Sequence, residues 1–327
     1  VIEVEDNSDS KGNHICKPGG DYYLFGARTL MDSPGEWFYD NDSGELLVWS
    51  KTPGSPPQDV EVKVRKNVFD LRGRQHIVIE GLEFFGASLA TDEESAHLTL
   101  DGVRVFYVDH SNRATEQYGS QSNTGMAFHG VDHTIRSCEI AYSSGNCVAM
   151  FGKECNVVNN YIHDVNYMGT YAAPLAFGRG ARDNIVRHNT ITRSGRTTIN
   201  TSGLYRSLLQ YNDVSYAGYL SYDLGLTYAN GVEGENSEVR YNGLHNNVSE
   251  HVNMGLYFDH GCKNLVFHHN VIWNAKDYGM INNQYGNYLL YYNNTVSDAK
   301  WSYRSTWSAA QAKDLYGCQL INNVGTS

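Results

Sequence analysis

Apolar and polar positions alternate along most of this chain in runs of three to six residues, each bounded by Gly, Asn or Asp. A period of two sends neighbouring side chains to opposite faces of a strand. No segment carries a long stripe at helical spacing. The pattern therefore predicts short strands joined by turns.

The runs themselves recur. GLYFDHGCKNLVFHHNVIWN (255–274), GLTYANGVEGENSEVRYNGLH (225–245), GMAFHGVDHTIRSCEIAY (125–142) and LAFGRGARDNIVRHNTIT (175–192) share one layout. An alternating segment reaches a Gly, and a second segment leads to a polar residue and an aliphatic pair. Alignment on aliphatic-x-x-Asn-x-aliphatic brings Asn160, Asn189, Asn212, Asn242, Asn270 and Asn294 into register, at separations of 29, 23, 30, 28 and 24 residues. Cys138 lies 22 residues before the first, and Asn322 lies 28 after the last. Helical repeats stack rigidly and do not accept a period that varies so much. Short strands with one insertable turn do. Strands of successive units would stack in parallel about 4.8 Å apart, with the Asn side chains forming an amide ladder. The fold class predicted is all-β, a right-handed parallel β-helix: a solenoid of three sheets around a dry core.

The solenoid is expected to begin near Val68, with VFDLRGRQHIVIEGLEFFGAS as its first coil. Upstream, EWFYD and ELLVWS flank NDSG, a hairpin signal, and PGSPP breaks the chain. The domains expected are a small β-rich module over residues 1–66, read as an insertion in a longer solenoid, and the β-helix over 67–327. VIEVEDNSDS at the start reads as the interior of a longer or processed chain, and GCQLINNVGTS as an unfinished coil.

Composition narrows the function. The net charge of −11, with 25 Lys and Arg, argues against nucleic acid or an anionic membrane as partner. No apolar run reaches the roughly 18 residues that span a bilayer. The 24 Tyr and 32 Gly suit a sugar-facing protein that is secreted, periplasmic or at the cell surface; they equally suit an exposed β surface. The six Cys (16, 138, 147, 155, 262 and 318) show no zinc spacing. They read as small buried residues, with a disulfide as the alternative.

One coil carries an acid and an imidazole, Asp259 and His260, where its neighbour has Ala229 and Asn230. Gly225–Gly231 and Gly255–Gly261 are equally long. Aligned on them, Leu226 stacks on Leu256 and Tyr228 on Phe258, facing inward, while Thr227, Ala229, Tyr257 and Asp259 face outward. An outward acid on a rigid strand needs no structural partner and mounts well as a catalytic group. Tyr222, Tyr228 near the edge, and Tyr257 offer ring faces to a sugar. His260 reads as a residue that tunes Asp259, as an acid or base itself, or as a turn His bonded to backbone. His129 takes a comparable place three or four coils earlier. Long inserts (DVNYMGTYAAP, TRSGRTT, SYAGYLSYDLG, HNNVSEHVNMG) would wall a cleft over this sheet. Within them Arg193 and Arg196 could grip a substrate carboxylate or sulfate, or be solvated loop charges.

The order of GEWFYDNDSGELLVW, a Pro-rich link, NNYIHD, DLGLTY and GLYFDHG resembles the right-handed β-helix carbohydrate-active enzymes, and is most similar to glycoside hydrolase family 141 and its relatives. The resemblance covers nearly the whole chain, but only DLGLTY and GLYFDHG bear on chemistry. It implies a catalytic pair of acids at Asp223 and Asp259. The chain departs from the family at His260, where an acid or amide is common, and at Leu224 and Leu226–Thr227, where Ala and Ala–Ile are usual.

Glycoside hydrolysis needs two carboxyls, about 5–5.5 Å apart for retention or roughly 6.5–9.5 Å for inversion. In straight strands Asp223 and Asp259 would stand about 20 Å apart, so the pair requires the chain to fold back around Asp223. Otherwise Glu233 or Glu235 could partner Asp259, and Glu250 could partner Asp223. The leading expectation is a glycoside hydrolase on a poly- or oligosaccharide, without a cofactor. The first alternative is a lyase acting by β-elimination on a uronic-acid polymer, with His129, His260, Lys263 or Arg196 as parts and Ca²⁺ as a conceivable aid. The second is a non-catalytic binding or structural solenoid.

Overall fold

The computed structural model describes Leu24 and residues 26–109, 124–306 and 316–326. The chain divides into two compact units, Val1–Val62 and Lys63–Ser327. In the first, Trp37–Tyr39 and Leu46–Val48 pair antiparallel. NDSG makes the turn because Asp40 Oδ1 accepts the Asp42 and Ser43 amides at 2.9 and 3.3 Å, and Gly44 donates back to the Asp40 carbonyl.

The second unit is a right-handed parallel β-helix. Among the described residues it forms two ten-stranded sheets, one eight-stranded sheet and the short parallel pair Asn67–Asp70 with Ser88–Ala90. One coil runs through Ile185–Arg187 in the first ten-stranded sheet, Thr190–Ser194 in the second and Ile199–Asn200 in the eight-stranded sheet. Register stacks like on like. Ile135, Val157, Val186, Leu209, Val239 and Phe267 form one core column. Ile140, Ile162, Ile191, Val214, Leu244 and Ile272 form a second. All are buried, at about 1.5–3 kcal/mol of favourable transfer each.

The Asn ladder lies where the first sheet turns into the second. The residue before each buried Asn is left-handed: His188, Tyr211, Tyr241, His269 and Asn293 have φ of 57, 55, 54, 53 and 51°. That conformation costs a side-chain-bearing residue about 1–2 kcal/mol, and the ladder offsets it. Asn242 Oδ1 accepts both the amide and Nδ2 of Asn212 at 2.9 Å, while Asn212 Nδ2 also donates to the Val186 carbonyl at 3.1 Å. The amide, Oδ1 and Nδ2 of the buried Asn212 are thereby all bonded, since its Oδ1 accepts the amide and Nδ2 of Asn189 in turn. The Cys138 amide opens the ladder by donating to Asn160 Oδ1 at 2.9 Å. Its far end is Asn323, not Asn322: Asn294 bonds Asn323 Oδ1 through its amide and Nδ2 at 3.0 and 2.9 Å. Asn322, at φ 51°, is the left-handed residue before it.

Cys138, Cys147, Cys155 and Cys262 are buried and free, and Cys318 is free and half-buried; Cys16 lies outside the described residues. Burial pushes the Cys155 thiol up to about 11 and that of Cys262 up to about 12, so these two act as small apolar groups.

Candidate active site

The strands Leu224–Asn230 and Asn253–Asp259 lie side by side in the eight-stranded sheet, one residue out of the register that glycine spacing predicts. Gly225 pairs with Met254, not Gly255; Tyr228 pairs with Tyr257, Ala229 with Phe258 and Asn230 with Asp259. Tyr228 therefore faces outward with Tyr257, while Thr227 and Ala229 stack inward on Leu256 and Phe258. The cause is a recurrent kink at the start of these strands, where two consecutive residues face the core. A Cβ on Gly255 would stand 2.6 Å from the core methyl of Ile272, and Leu256 beside it is also in the core. Leu226 fills the position of Gly255 in the preceding coil, so the glycines do not align. Likewise His260 (φ 36°) takes the left-handed corner held by Gly231 (φ 62°) one coil below and Gln284 (φ 56°) one coil above.

Asp259 thus belongs to an outward column of short polar side chains, Asn230, Asp259 and Asn283. It is not solvent-displayed and unpartnered as expected: it is 6% exposed. Its Oδ1 accepts Asn283 Nδ2 at 2.7 Å and the His260 amide at 3.0 Å, and His260 Nδ1 stands 2.8 Å away. Its Oδ2 accepts the Tyr228 hydroxyl at 3.3 Å. A carboxylate this buried requires such donors, and they fix its orientation. His260 meets two of the readings open for it: it contacts Asp259 through its amide and Nδ1, and as a turn residue its amide also donates to the Asn283 carbonyl at 2.9 Å.

Asp223 reaches the same network. It is exposed and left-handed, at φ 57°. The Tyr257 hydroxyl donates to Asp223 Oδ1 at 3.4 Å and accepts Asn283 Nδ2 at 3.4 Å, and that same nitrogen holds Asp259 Oδ1 at 2.7 Å. These three links cap the separation of the two carboxylates at about 10 Å, half the straight-strand distance, a limit that admits both the retaining and the inverting spacing. Burial, followed by the charges of Asp259 and Asp223, pushes the Tyr257 phenol well above its ordinary value.

Arg196 stands behind the pair. At 6% exposed it is not a solvated loop charge. Its guanidinium lies 4.0 Å from the Tyr171 ring centre and 5.0 Å from that of Tyr228, and Nη2 donates to the Asp223 carbonyl at 2.8 Å. It thereby clamps the backbone that carries Asp223. Arg193 is occupied elsewhere, by Asp164 and Tyr161. Tyr228 and Tyr257, 1% and 3% exposed, meet edge to face at 5.0 Å. They supply hydroxyls rather than the sugar platforms expected of them. Tyr222, 65% exposed beside Asp223, keeps an open face.

The remaining candidates lie apart. Glu233 is held by Lys263 and Asn264 at 2.9 and 2.6 Å, and Glu235 by Arg206 at 3.1 Å, so neither partners Asp259. Glu250 is exposed and bonds neither aspartate among the described residues. His129 stacks on Phe151 at 4.7 Å, five strands along the sheet from Asp259, or about 24 Å at strand spacing. Asn230, Asn283 and Tyr171 were missed from the sequence. Aligning GMINNQ on GLYFDH would have placed Asn283 beside Asp259; Tyr171, in an insert, left no such signal. No group of three His, Cys, Asp or Glu among the described residues is arranged to hold a metal ion.

The family model described as right handed beta helix region matches residues 124–296. No curated protein matches the chain. Among solved structures it is similar to one titled glycoside hydrolase (TM-score 0.46, 10% identity), covering 92% of this chain and 58% of that one. It thus spans less than two thirds of that protein's length. It is also similar to a periplasmic alginate epimerase double mutant (0.46, 9%, 79% and 73%). A third likeness is to the catalytic unit of a thermostable GH87 alpha-1,3-glucanase from Streptomyces thermodiastaticus strain HF3-3 (0.44, 11%, 79% and 62%).

Proposed function

The chain belongs to the right-handed β-helix family, and from that premise we propose that it is a glycoside hydrolase whose catalytic carboxyls are Asp223 and Asp259. One observation carries this: two aspartates from neighbouring coils meet on the outer face through a shared Tyr257–Asn283 bridge. A coil stacked for stability alone has no need of a buried acid in a column of amides. In hydrolysis one carboxyl protonates the leaving glycosidic oxygen, and the other activates water or attacks the sugar carbon. Exposed Tyr222 offers a platform for a sugar ring. The similarity of DLGLTY and GLYFDHG to glycoside hydrolase family 141 agrees with the same pair.

The test is release of reducing ends from a panel of plant, algal and microbial polysaccharides. Asp259→Asn and Asp223→Asn should each lower turnover by about a thousandfold or more while circular dichroism and the melting temperature hold. Full activity in either variant removes that residue from the mechanism. A product absorbing in the ultraviolet from a new double bond would replace hydrolysis with β-elimination.

A further inference from the structure

Beside the aspartate pair, the turns that leave the eight-stranded sheet in three successive coils enclose a groove of about 770 Å³, within the range of ligand sites. At Gly203, which lines it, the coils meet too closely for a side chain: a Cβ there would stand 2.1 Å from the Gly178 carbonyl oxygen. The groove follows the solenoid axis. Ser202, Tyr205, Asn230, Glu233, Arg179 and Arg182 line it. It adjoins the catalytic pair, since Asn230 Nδ2 donates to the Tyr228 hydroxyl at 3.4 Å and that hydroxyl donates to Asp259.

The charges in this groove are unequal. Glu233 is neutralised by Lys263 at 2.9 Å. Neighbouring Arg206 is committed to Asp183 and Glu235 at 2.7 and 3.1 Å. Arg179 and Arg182, both exposed, have no carboxylate within 4.0 Å among the described residues; Arg182 acts on Asp183 only at longer range. On a chain of net charge −11, two uncommitted arginines in one groove form a local site for an anion, and guanidinium matches carboxylate and sulfate alike.

We propose that this groove is a subsite for an acidic sugar unit, with Arg179 and Arg182 holding the carboxylate of a uronate or a sulfate ester. The proposal rests on the hydrolase reading and narrows its substrate to anionic saccharides lying along the solenoid axis. The rest of the surface gives such an anion no general attraction, so affinity depends on these two residues.

The test is affinity electrophoresis of the full chain, in the Asp259→Asn background so that no polymer is cut. The probes are alginate, polygalacturonate, glucuronoxylan and carrageenan, each beside its carboxyl-reduced or desulfated counterpart. At least one acidic polymer should be retained about tenfold more strongly than its neutral counterpart, and the counterpart that fails identifies carboxylate or sulfate as the group bound. Arg179→Ala/Arg182→Ala should lose about tenfold or more of that retention without a change in melting temperature. Undiminished retention of the double variant overturns the subsite. Retention by neutral polymers alone, or by none of the probes, also overturns it and leaves the hydrolase reading to be decided by the reducing-end assay.

Discussion

The Tyr257 hydroxyl donates to Asp223, a residue 34 positions earlier in the chain. The same oxygen accepts Asn283, which holds Asp259. One phenol thus joins an exposed carboxylate to a buried one. Burial and the two acids keep it protonated far above neutral pH, so it remains a donor under any working condition.

Removing that hydroxyl separates positioning from packing. Tyr257→Phe keeps the ring against Tyr228 and Met254 and loses two long hydrogen bonds, the one it donates to the exposed Asp223 carboxylate and the one it accepts from Asn283, so stability should fall by about 1–2 kcal/mol. Turnover should fall by about ten- to a hundredfold, because Asp223 is no longer tied to the pair. Urea midpoints and reducing-end assays read the two effects. An unchanged kcat would make the bridge incidental.

Asn283 orients Asp259 from the coil above, at 2.7 Å. Asn283→Ala leaves that carboxylate with the Tyr228 hydroxyl and its own neighbour His260, free to turn. We expect kcat to fall about tenfold with KM little changed, since the substrate loses no direct contact. An effect confined to KM would instead place Asn283 against the sugar.

The solenoid was legible in the sequence because its signal is repeated: six Asn residues in register, flanked by aliphatics, leave little freedom to the coil. The site was half legible. Asp259 stood out as an acid among neutral equivalents, but its register slipped by one residue because Leu226 stands where the next coil has Gly255. A slip of one moves every side chain to the other face, hence the misassigned Tyr228. The approach of Asp223 to the pair depends on how the insert SYAGYLSYD folds back, and Arg196 holds that backbone through a carbonyl. A contact to a carbonyl leaves no trace in side-chain pattern.

The ladder makes a graded stability prediction. Asn242→Ala removes the acceptor for the Asn212 amide and Nδ2, and the donor to Leu209 O and Asn270 Oδ1, all buried. Orphaning several buried groups should cost about 3–5 kcal/mol. Asn323→Ala, at the half-exposed end of the ladder, should cost about 1 kcal/mol or less, because water replaces the lost partner. Equal urea midpoints for the two variants would contradict a ladder whose worth lies in buried satisfaction.

Acid should act through Asp164. The Arg193 guanidinium beside it, at 2.5 Å, holds its carboxyl below the ordinary value, with His163 contributing. A depressed carboxyl contributes stability that is present above the unfolded-state value of about 3.9 and is lost as the pH falls through the lower folded value. The carboxylate is about one-third exposed, so solvent screening limits the pH-dependent part to about 1 kcal/mol or less. Arg193→Met removes the cause. Its deficit in urea midpoint against the parent should be constant above about pH 5 and should narrow below about pH 4, where both proteins carry a protonated Asp164. A deficit that stays fixed down to about pH 2 would mean that Arg193 stabilises the coil through its bond to Tyr161 and through packing, and that its charge on Asp164 contributes nothing.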